Sequence, residues 1–96
     1  MKQTKVSMSA ETLQFLRTIH PDIKKKLKAG LREIAAGPSG GKVLKAELEG
    51  LRSFGVGRYR IVYKEASSNL EIIAIGEREE IYQDSLKKMM KDRHEI

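Results

Sequence analysis

Apolar residues recur at helical spacing through the first third of the chain. Ser9 is a typical N-cap residue, and the stretch after it carries an apolar stripe formed by Leu13, Leu16 and Ile19. A second stripe repeats at spacings of four, four and three residues: Ile23, Leu27, Leu31 and Ile34. Pro21 suits the first turn of this second helix, and Gly37 followed by Pro38 ends it. The pattern therefore predicts a helical hairpin.

Beyond a loop at residues 38–42 the period changes from helical to extended. Three runs rich in Val, Ile and Tyr follow: SFGVG, YRIVYKE and LEIIAIG. Short turn-forming segments separate these runs, and strands joined by short turns must be antiparallel. In the middle run, alternation places Tyr59, Ile61 and Tyr63 on one face and Arg60 on the other, and Tyr63 is interpreted as a core residue. The last run is apolar on both faces, as expected of a central strand covered on at least part of its second side.

Two weaker patterns complete the predicted fold. Residues 2–8 alternate weakly and predict a short first strand, and the segment beginning at Asp84 predicts a last helix. His20, at the junction of the two helices, is interpreted as a turn or capping residue. We therefore expect one α+β domain over residues 1–96. It should have an N-terminal helical hairpin packed on a small antiparallel sheet of about four strands, with a C-terminal helix.

The composition narrows the class of protein. Hydrophobic residues make up 40% of the sequence, which is too much for a disordered acidic tail. No apolar run approaches the ~18 residues of a membrane-spanning helix, and the N-terminus lacks the apolar segment of a secretory signal. We therefore expect a cytoplasmic protein with no membrane partner. The absence of cysteine excludes disulfides, thiolate zinc sites and a cysteine nucleophile, and His20 and His94 lie too far apart in the sequence to suggest a metal site.

The charge balance is basic. Lys and Arg together number 19 against 13 Asp and Glu, a formal net charge of +6. Residues 1–50 hold ten basic and five acidic side chains and residues 51–96 hold nine and eight, so the excess is not a C-terminal tail. A positive surface attracts polyanions, which makes nucleic acid or the ribosome one interpretation. A solvated lysine-rich helix face at residues 24–28 is the other, and charge alone does not decide between them.

Three motifs follow one another in the second half of the chain: LKAELEG from Leu44, GRYRIVY at 57–63 and GEREEIY at 76–82. Their order and spacing, together with the helical hairpin before them, resemble the RelE/ParE superfamily of bacterial and archaeal toxins from toxin–antitoxin pairs. The resemblance implies the α+β fold described above and a cognate antitoxin as partner, and it implies no metal or organic cofactor.

The same resemblance implies two main functions. RelE-like members enter the ribosomal A site and cut the mRNA there, by attack of a ribose 2′-OH on the adjacent phosphate. ParE-like members share the fold but are not nucleases, and they poison DNA gyrase. A catalytically weakened RNA-binding relative is a third alternative.

Three residues match the nuclease pattern. Arg60 corresponds to the arginine of the hairpin motif, Arg78 to the arginine after the last strand, and Tyr82 to the tyrosine of the final element. The two arginines would stabilise charge on the phosphorane, because a guanidinium can bind two phosphate oxygens at once. The tyrosine would stack on a splayed base or transfer a proton. Each residue also has an alternative without a catalytic role. Arg60 would be a solvated sheet residue, Arg78 an ion-pair partner of neighbouring glutamates, and Tyr82 a packing residue. For a nuclease we expect all three on one accessible basic surface.

The sequence departs from the RelE pattern just before the hairpin. RelE-like nucleases carry lysines there, whereas LRSFGVG has Arg52, Ser53 and Gly55 and no lysine. The expected nucleic-acid contacts are therefore four other cationic side chains: Arg52, Arg58, Lys42 and Lys45. The missing lysines favour the gyrase poison or the RNA-binding relative, whereas the hairpin arginine and the terminal tyrosine favour the nuclease.

Overall fold

The computed structural model describes residues 5–45, 48–66, 69–77, 81–82 and 85–87. The elements follow in the order β1 (Lys5–Met8), α1 (Ala10–Thr18), α2 (Pro21–Ala36), β2 (Lys42–Val43), β3 (Arg52–Val56), β4 (Tyr59–Ala66) and β5 (Asn69–Glu77). A 3-10 turn at Pro38–Gly40 joins α2 to β2. After β5 the backbone of residues 81–82 and 85–87 is helical; the rest of the predicted C-terminal helix lies outside the described residues. None of the described helices is long and apolar enough to cross a membrane.

The two helices begin and end close to where the sequence predicts. Ser9 caps α1, because its side-chain oxygen accepts a hydrogen bond from the backbone N–H of Thr12 at 3.1 Å. His20 caps α2 in the same way: its Nδ1 accepts from the backbone N–H of Asp22 at 3.1 Å, which confirms its interpretation as a capping residue. At the other end of α2, the N–H of Gly37 donates to two carbonyl groups of the last turn. These caps satisfy polar groups that helix ends otherwise leave without partners.

The five strands form one sheet in the order β1-β5-β4-β3-β2. The α+β class and the packing of two helices on a sheet are confirmed, and two details differ from the prediction. First, β1 pairs with β5 in parallel, whereas all other pairs are antiparallel. No short turn joins β1 to its neighbour, so the rule that makes hairpin strands antiparallel does not apply to it. Second, β2 is an additional strand at the end of the predicted loop, and its two residues are too few to show a period.

The sheet buries apolar side chains on both faces. The face toward the helices carries the larger cluster: Leu16, Leu27, Ile34, Ile61, Tyr63, Leu70, Ile72 and Ile75. The opposite face, called the site face below, carries a smaller cluster against which Tyr82 packs: Leu44, Leu51, Val62, Ala74 and Ile81. In β5 a bulge makes Ile73 the extra residue between the pairs Val62–Ala74 and Tyr63–Ile72, and Ile73 packs on the smaller cluster. Both clusters explain why β5 is apolar on its two sides.

Candidate functional site

The β3–β4 hairpin sets the position of Arg60. Gly57 and Arg58 form its two-residue turn, and Gly57 has a φ of 61°, in the left-handed region that favours glycine. This turn fixes the register so that Gly55 lies directly opposite Arg60. Tyr59 packs against the helix-side cluster, so the next side chain, that of Arg60, leaves the sheet on the site face.

Ser53 joins Arg60 to Tyr82. The Nη1 of Arg60 donates a hydrogen bond to the Oγ of Ser53 at 3.4 Å, and the same Oγ lies 3.3 Å from the hydroxyl oxygen of Tyr82 in a second hydrogen bond. Ser53 is only 1% exposed, whereas Arg60 and Tyr82 are half-buried and reach the surface. The structure therefore brings Arg60 and Tyr82 together through one serine hydroxyl. Arg78 lies outside the described residues.

Two glycines flank Arg60 across the sheet. Gly55 on β3 and Gly76 on β5 are its direct neighbours in the two ladders. A Cβ atom on Gly55 would lie 3.5 Å from Nη1 of Arg60, so the guanidinium rests over the Gly55 backbone. Glycine within a strand allows a ligand or another chain to approach the backbone closely. The row Gly55, Arg60 and Gly76 is called the glycine strip below. In it the Arg60 guanidinium takes the space above Gly55, and Cδ1 of Ile81 would lie 3.3 Å from a Cβ atom on Gly76.

Lys42 shares the site face with Arg60. It pairs with Ser53 across the β2–β3 ladder, and directly opposed residues of antiparallel strands point to the same side of a sheet. Its side chain is exposed. Ser53 thus has Lys42 on one side and Arg60 on the other. The two remaining lysine and arginine candidates are exposed outside the strands, in the loop after β2 and in the β3–β4 turn: Lys45 and Arg58.

Arg52 lies on the helix side of the sheet. Its Nη1 donates to the carbonyl oxygen of Gly41 at 3.0 Å, and its Nε lies 4.0 Å from Oε1 of Glu65. Its cross-strand partner Tyr63 is fully buried, which confirms the core interpretation; the Tyr63 hydroxyl donates to the carbonyl oxygen of Pro38 at 2.5 Å and accepts from the Gly41 N–H at 3.1 Å. Burial raises the pKa of the Tyr63 phenol, while the Gly41 N–H and the Arg52 charge act against that shift. The structure therefore separates Arg52 from the site face.

The groups around Ser53 suit anion binding. They are the Arg60 guanidinium and the Tyr82 hydroxyl, with the exposed Lys42 opposite Ser53 on the same face, and charged donors of this kind bind phosphate oxygens well. Glu77 pairs with Tyr59, so its carboxylate leaves on the helix side rather than beside Arg60. Within the described ranges, no three His, Asp or Glu side chains are grouped as metal ligands would be.

Comparison with known families decides the class of protein. The family model for the ParE toxin of the type II toxin–antitoxin system parDE matches residues 7–82, which is most of the chain. The chain belongs to the ParE toxin family. It is therefore a toxin of a type II toxin–antitoxin system, and the RelE/ParE resemblance of the sequence motifs is confirmed. No curated protein sequence matches this toxin.

Solved structures share the fold of the toxin. The E. coli toxin RelE, solved in the free state as a double arginine-to-alanine mutant, matches with a TM-score of 0.74 at 19% identity, over 91% of this chain and 98% of RelE. The toxin–antitoxin complex RelBE2 from Mycobacterium tuberculosis matches with a TM-score of 0.70 at 22% identity, over 79% of this chain and 99% of that one. The YoeB–YefM complex from Staphylococcus aureus matches with a TM-score of 0.64 at 17% identity, over 76% of this chain and 94% of that one. At these identities the likeness establishes the fold.

Ser53 has no role in the sequence-based assignment, yet it joins two of the candidate residues of this toxin. The position of Ser53 beside Arg60 can nevertheless be predicted from the sequence. The two-residue turn at Gly57 fixes the β3–β4 register, and counting back from it places Ser53 diagonal to Arg60 on the same face. The approach of Tyr82 has no comparable signal, because it depends on the path of the chain after β5.

Proposed function

We propose that this toxin is a ribosome-dependent endoribonuclease that cuts translated mRNA. The observation that supports the proposal is the meeting of the Arg60 guanidinium and the Tyr82 hydroxyl on Ser53, beside the glycine strip. The permanently charged guanidinium of Arg60 can bind a phosphate, and the phenol of Tyr82 beside it can stack on a base. Glycine at position 55 gives the Arg60 guanidinium room to lie on the surface of the sheet, where a phosphate can reach it.

The chemistry asks three things of the site. As the ribose 2′ oxygen bonds to phosphorus it loses its proton, the bond from phosphorus to the 5′ oxygen breaks, and the 5′ oxygen gains a proton. A 2′,3′-cyclic phosphate and a 5′-OH remain. Arg60 stabilises the charge that develops on the phosphorane oxygens. We give Arg78 the same role because it corresponds to the arginine after the last strand in the RelE pattern. Tyr82 stacks on the neighbouring base or carries a proton. Because no strong base stands in this set, the ribosome must hold the substrate in the reactive geometry.

A cognate antitoxin completes the proposal. Two of the structural relatives, RelBE2 and YoeB–YefM, were solved as toxin–antitoxin complexes. This toxin carries a net charge of +6, and part of that charge lies on the site face with Lys42 and Arg60. An antitoxin with an acidic segment would bind that face and keep RNA away from it. The toxin and its antitoxin would act in the cytoplasm, where translated mRNA is found.

Substitution of Arg60 tests the nuclease. In single-turnover cleavage of mRNA on programmed ribosomes, Arg60→Ala should slow cutting by about 10²–10³-fold, the loss typical of one oxyanion donor. Arg17→Ala is the matched control, since Arg17 is an exposed arginine on the helix layer, and it should cut like wild type. Naked RNA should be cut poorly by all three proteins. An Arg60→Ala protein that keeps its fold, by circular dichroism, and cuts at the wild-type rate would overturn the proposal.

A gyrase poison is the second candidate, and the match to the ParE family model favours it. The absence of lysine from β3 favours it as well, since the nuclease pattern has lysines there. Expression of the toxin separates the two candidates. Arrest with mRNA cut inside reading frames and no DNA-damage response supports the nuclease, whereas DNA breaks with intact transcripts support the poison. Expression without arrest of either kind leaves the RNA-binding relative.

A further inference from the structure

Gly41 is held by side chains from two different strands. Its N–H donates to the Tyr63 hydroxyl at 3.1 Å, and its carbonyl oxygen accepts from Nη1 of Arg52 at 3.0 Å. The same hydroxyl donates to the carbonyl oxygen of Pro38. A Cβ atom on Gly41 would overlap the Tyr63 hydroxyl, so only glycine permits this approach. We call Tyr63, Arg52 and the backbone of Gly41 the Gly41 clamp.

The Gly41 clamp fixes the residue just before β2. That strand has two residues and lies at the edge of the sheet, with β3 as its one neighbour in the described sheet. So short an edge strand has few ladder hydrogen bonds of its own to keep it in register. The clamp supplies the missing restraint from the helix side. Its effect appears on the other side, because the next residue, Lys42, is placed opposite Ser53 on the site face.

We propose that Lys42 is a phosphate-binding cation of the candidate site, and that Tyr63 and Arg52 are positioning residues that hold it there through Gly41. The inference rests on the proposed nuclease function. Ser53 lies between Lys42 and Arg60, so the two cations can contact successive phosphates, or two sides of one phosphate, along the sheet. Lys42 thereby supplies from β2 the ammonium that β3 of this toxin lacks.

A simpler account gives the same parts no role in activity. In that account Tyr63 and Arg52 only stabilise the loop after α2, and Lys42 is an ordinary solvated lysine. The two accounts differ in whether the effect of the Gly41 clamp on cutting depends on Lys42. If the clamp acts through Lys42, loosening the clamp slows cutting only while Lys42 is present. If the clamp is only structural, its loss lowers stability and slows cutting by the same factor with or without Lys42.

The test is single-turnover mRNA cleavage on programmed ribosomes with wild type, Lys42→Ala, Lys42→Arg, Tyr63→Phe and the double variant Lys42→Ala with Tyr63→Phe. Lys42→Ala should slow cutting by about 10–100-fold, the loss expected of one charged hydrogen bond, and Lys42→Arg should retain most of the wild-type rate. Tyr63→Phe should slow cutting in the wild-type background and have no further effect in the Lys42→Ala background. Lys64→Ala, which removes an exposed lysine four residues beyond Arg60 on β4, is the control and should cut like wild type.

Each result bears on one claim. A wild-type rate for Lys42→Ala overturns the role of Lys42, and equally slow Lys42→Ala and Lys42→Arg proteins overturn the assignment of a charge contact. If the double variant is slower than wild type by the product of the two single factors, Tyr63 does not act through Lys42 and its positioning role is overturned. If Tyr63→Phe does not fold, Arg52→Ala loosens the same clamp and takes its place in the cycle. A wild-type toxin that cuts nothing on the ribosome refutes the nuclease and this inference together, which distinguishes that failure from the others.

Discussion

Tyr63 shows how a buried polar atom is kept satisfied in this toxin. Its ring is fully buried in the helix-side cluster, and its hydroxyl has partners in the backbone of Pro38 and Gly41. Tyr63→Phe removes the hydroxyl and leaves those two backbone groups without this partner. We expect the free energy of unfolding at neutral pH to fall by about 1–3 kcal/mol, measured by urea denaturation. A loss below the error of the measurement would show that water replaces the hydroxyl without cost.

The same residue makes stability depend on alkaline pH. The folded-state pKa of Tyr63 is raised by burial above its ordinary value of about 10, so the folded protein holds this proton more tightly than the unfolded chain does. Its contribution is present in full below about pH 10 and is lost as the pH rises through that value toward the folded-state pKa. Urea denaturation at a series of pH values should therefore show a steeper alkaline loss for wild type than for Tyr63→Phe. Parallel curves for the two proteins would contradict the shift.

At the residue scale, local rules predict half of the candidate site. Strand alternation gives the face of Arg60, and the two-residue turn gives the register that brings Ser53 beside it. The hydrogen bond from Ser53 to Tyr82 joins residues 29 positions apart, and no period or turn rule specifies it. The side of the sheet taken by Arg52 follows from its pairing with Tyr63. That pairing can be predicted by counting residues back from the β3–β4 turn. The hydrogen bond from Arg52 to the carbonyl oxygen of Gly41 cannot be predicted in this way.

Helix α2 packs closely on strand β3 at a buried glycine. A Cβ atom on Gly30 would lie 2.8 Å from Cγ2 of Val56 and 3.5 Å from Cδ1 of Ile61 and Cε2 of Phe54. Val56 is β-branched, so its methyl group cannot easily turn away. Periodicity predicts the helix correctly but gives no reason for a glycine in its middle, which weakens a helix by about 1 kcal/mol relative to alanine. The reason is the contact with the sheet, which belongs to packing between elements.

Substitution at this contact should therefore lower stability although alanine is the better helix former. In Gly30→Ala, the overpacking cost of about 1–3 kcal/mol exceeds the gain in helix propensity of about 1 kcal/mol. We expect a net loss of about 1 kcal/mol in a urea or thermal unfolding experiment. Ala29→Gly is the neighbouring control: this exposed position should lose about 1 kcal/mol through helix propensity alone. A Gly30→Ala protein more stable than wild type would contradict the close approach of α2 to β3.

On the scale of the whole molecule, cationic side chains of the described residues lie on both sides of the sheet. Lys25, Lys26 and Lys28 are exposed on α2, whereas Lys42 and Arg60 lie on the opposite, site face of the sheet. The composition gives the sign and amount of charge, but the face of each cation follows from register and packing. The fold class was predictable because helix and strand periods are local. The parallel direction of β1 was not, since its partner is the last strand of the sheet.

The pairing of β1 also determines when the chain can fold. Residue 5 pairs with residue 69, and β5 is the one neighbour of β1 within the described sheet. Hairpins close within microseconds, whereas pairing over such a separation waits for the distant partner. A fragment ending at residue 66 has the first four strands but no partner for β1, and we expect limited proteolysis to digest it while the full chain resists. Protection of the fragment would contradict this order of events.

For a toxin, this order of assembly acts as a delay. While a ribosome is still translating the first four strands, the growing polypeptide has no place to dock its own beginning. The fully paired sheet exists only once β5 has emerged from the ribosome. The cell that makes the protein is thus spared a poison that folds before its fifth strand has been translated.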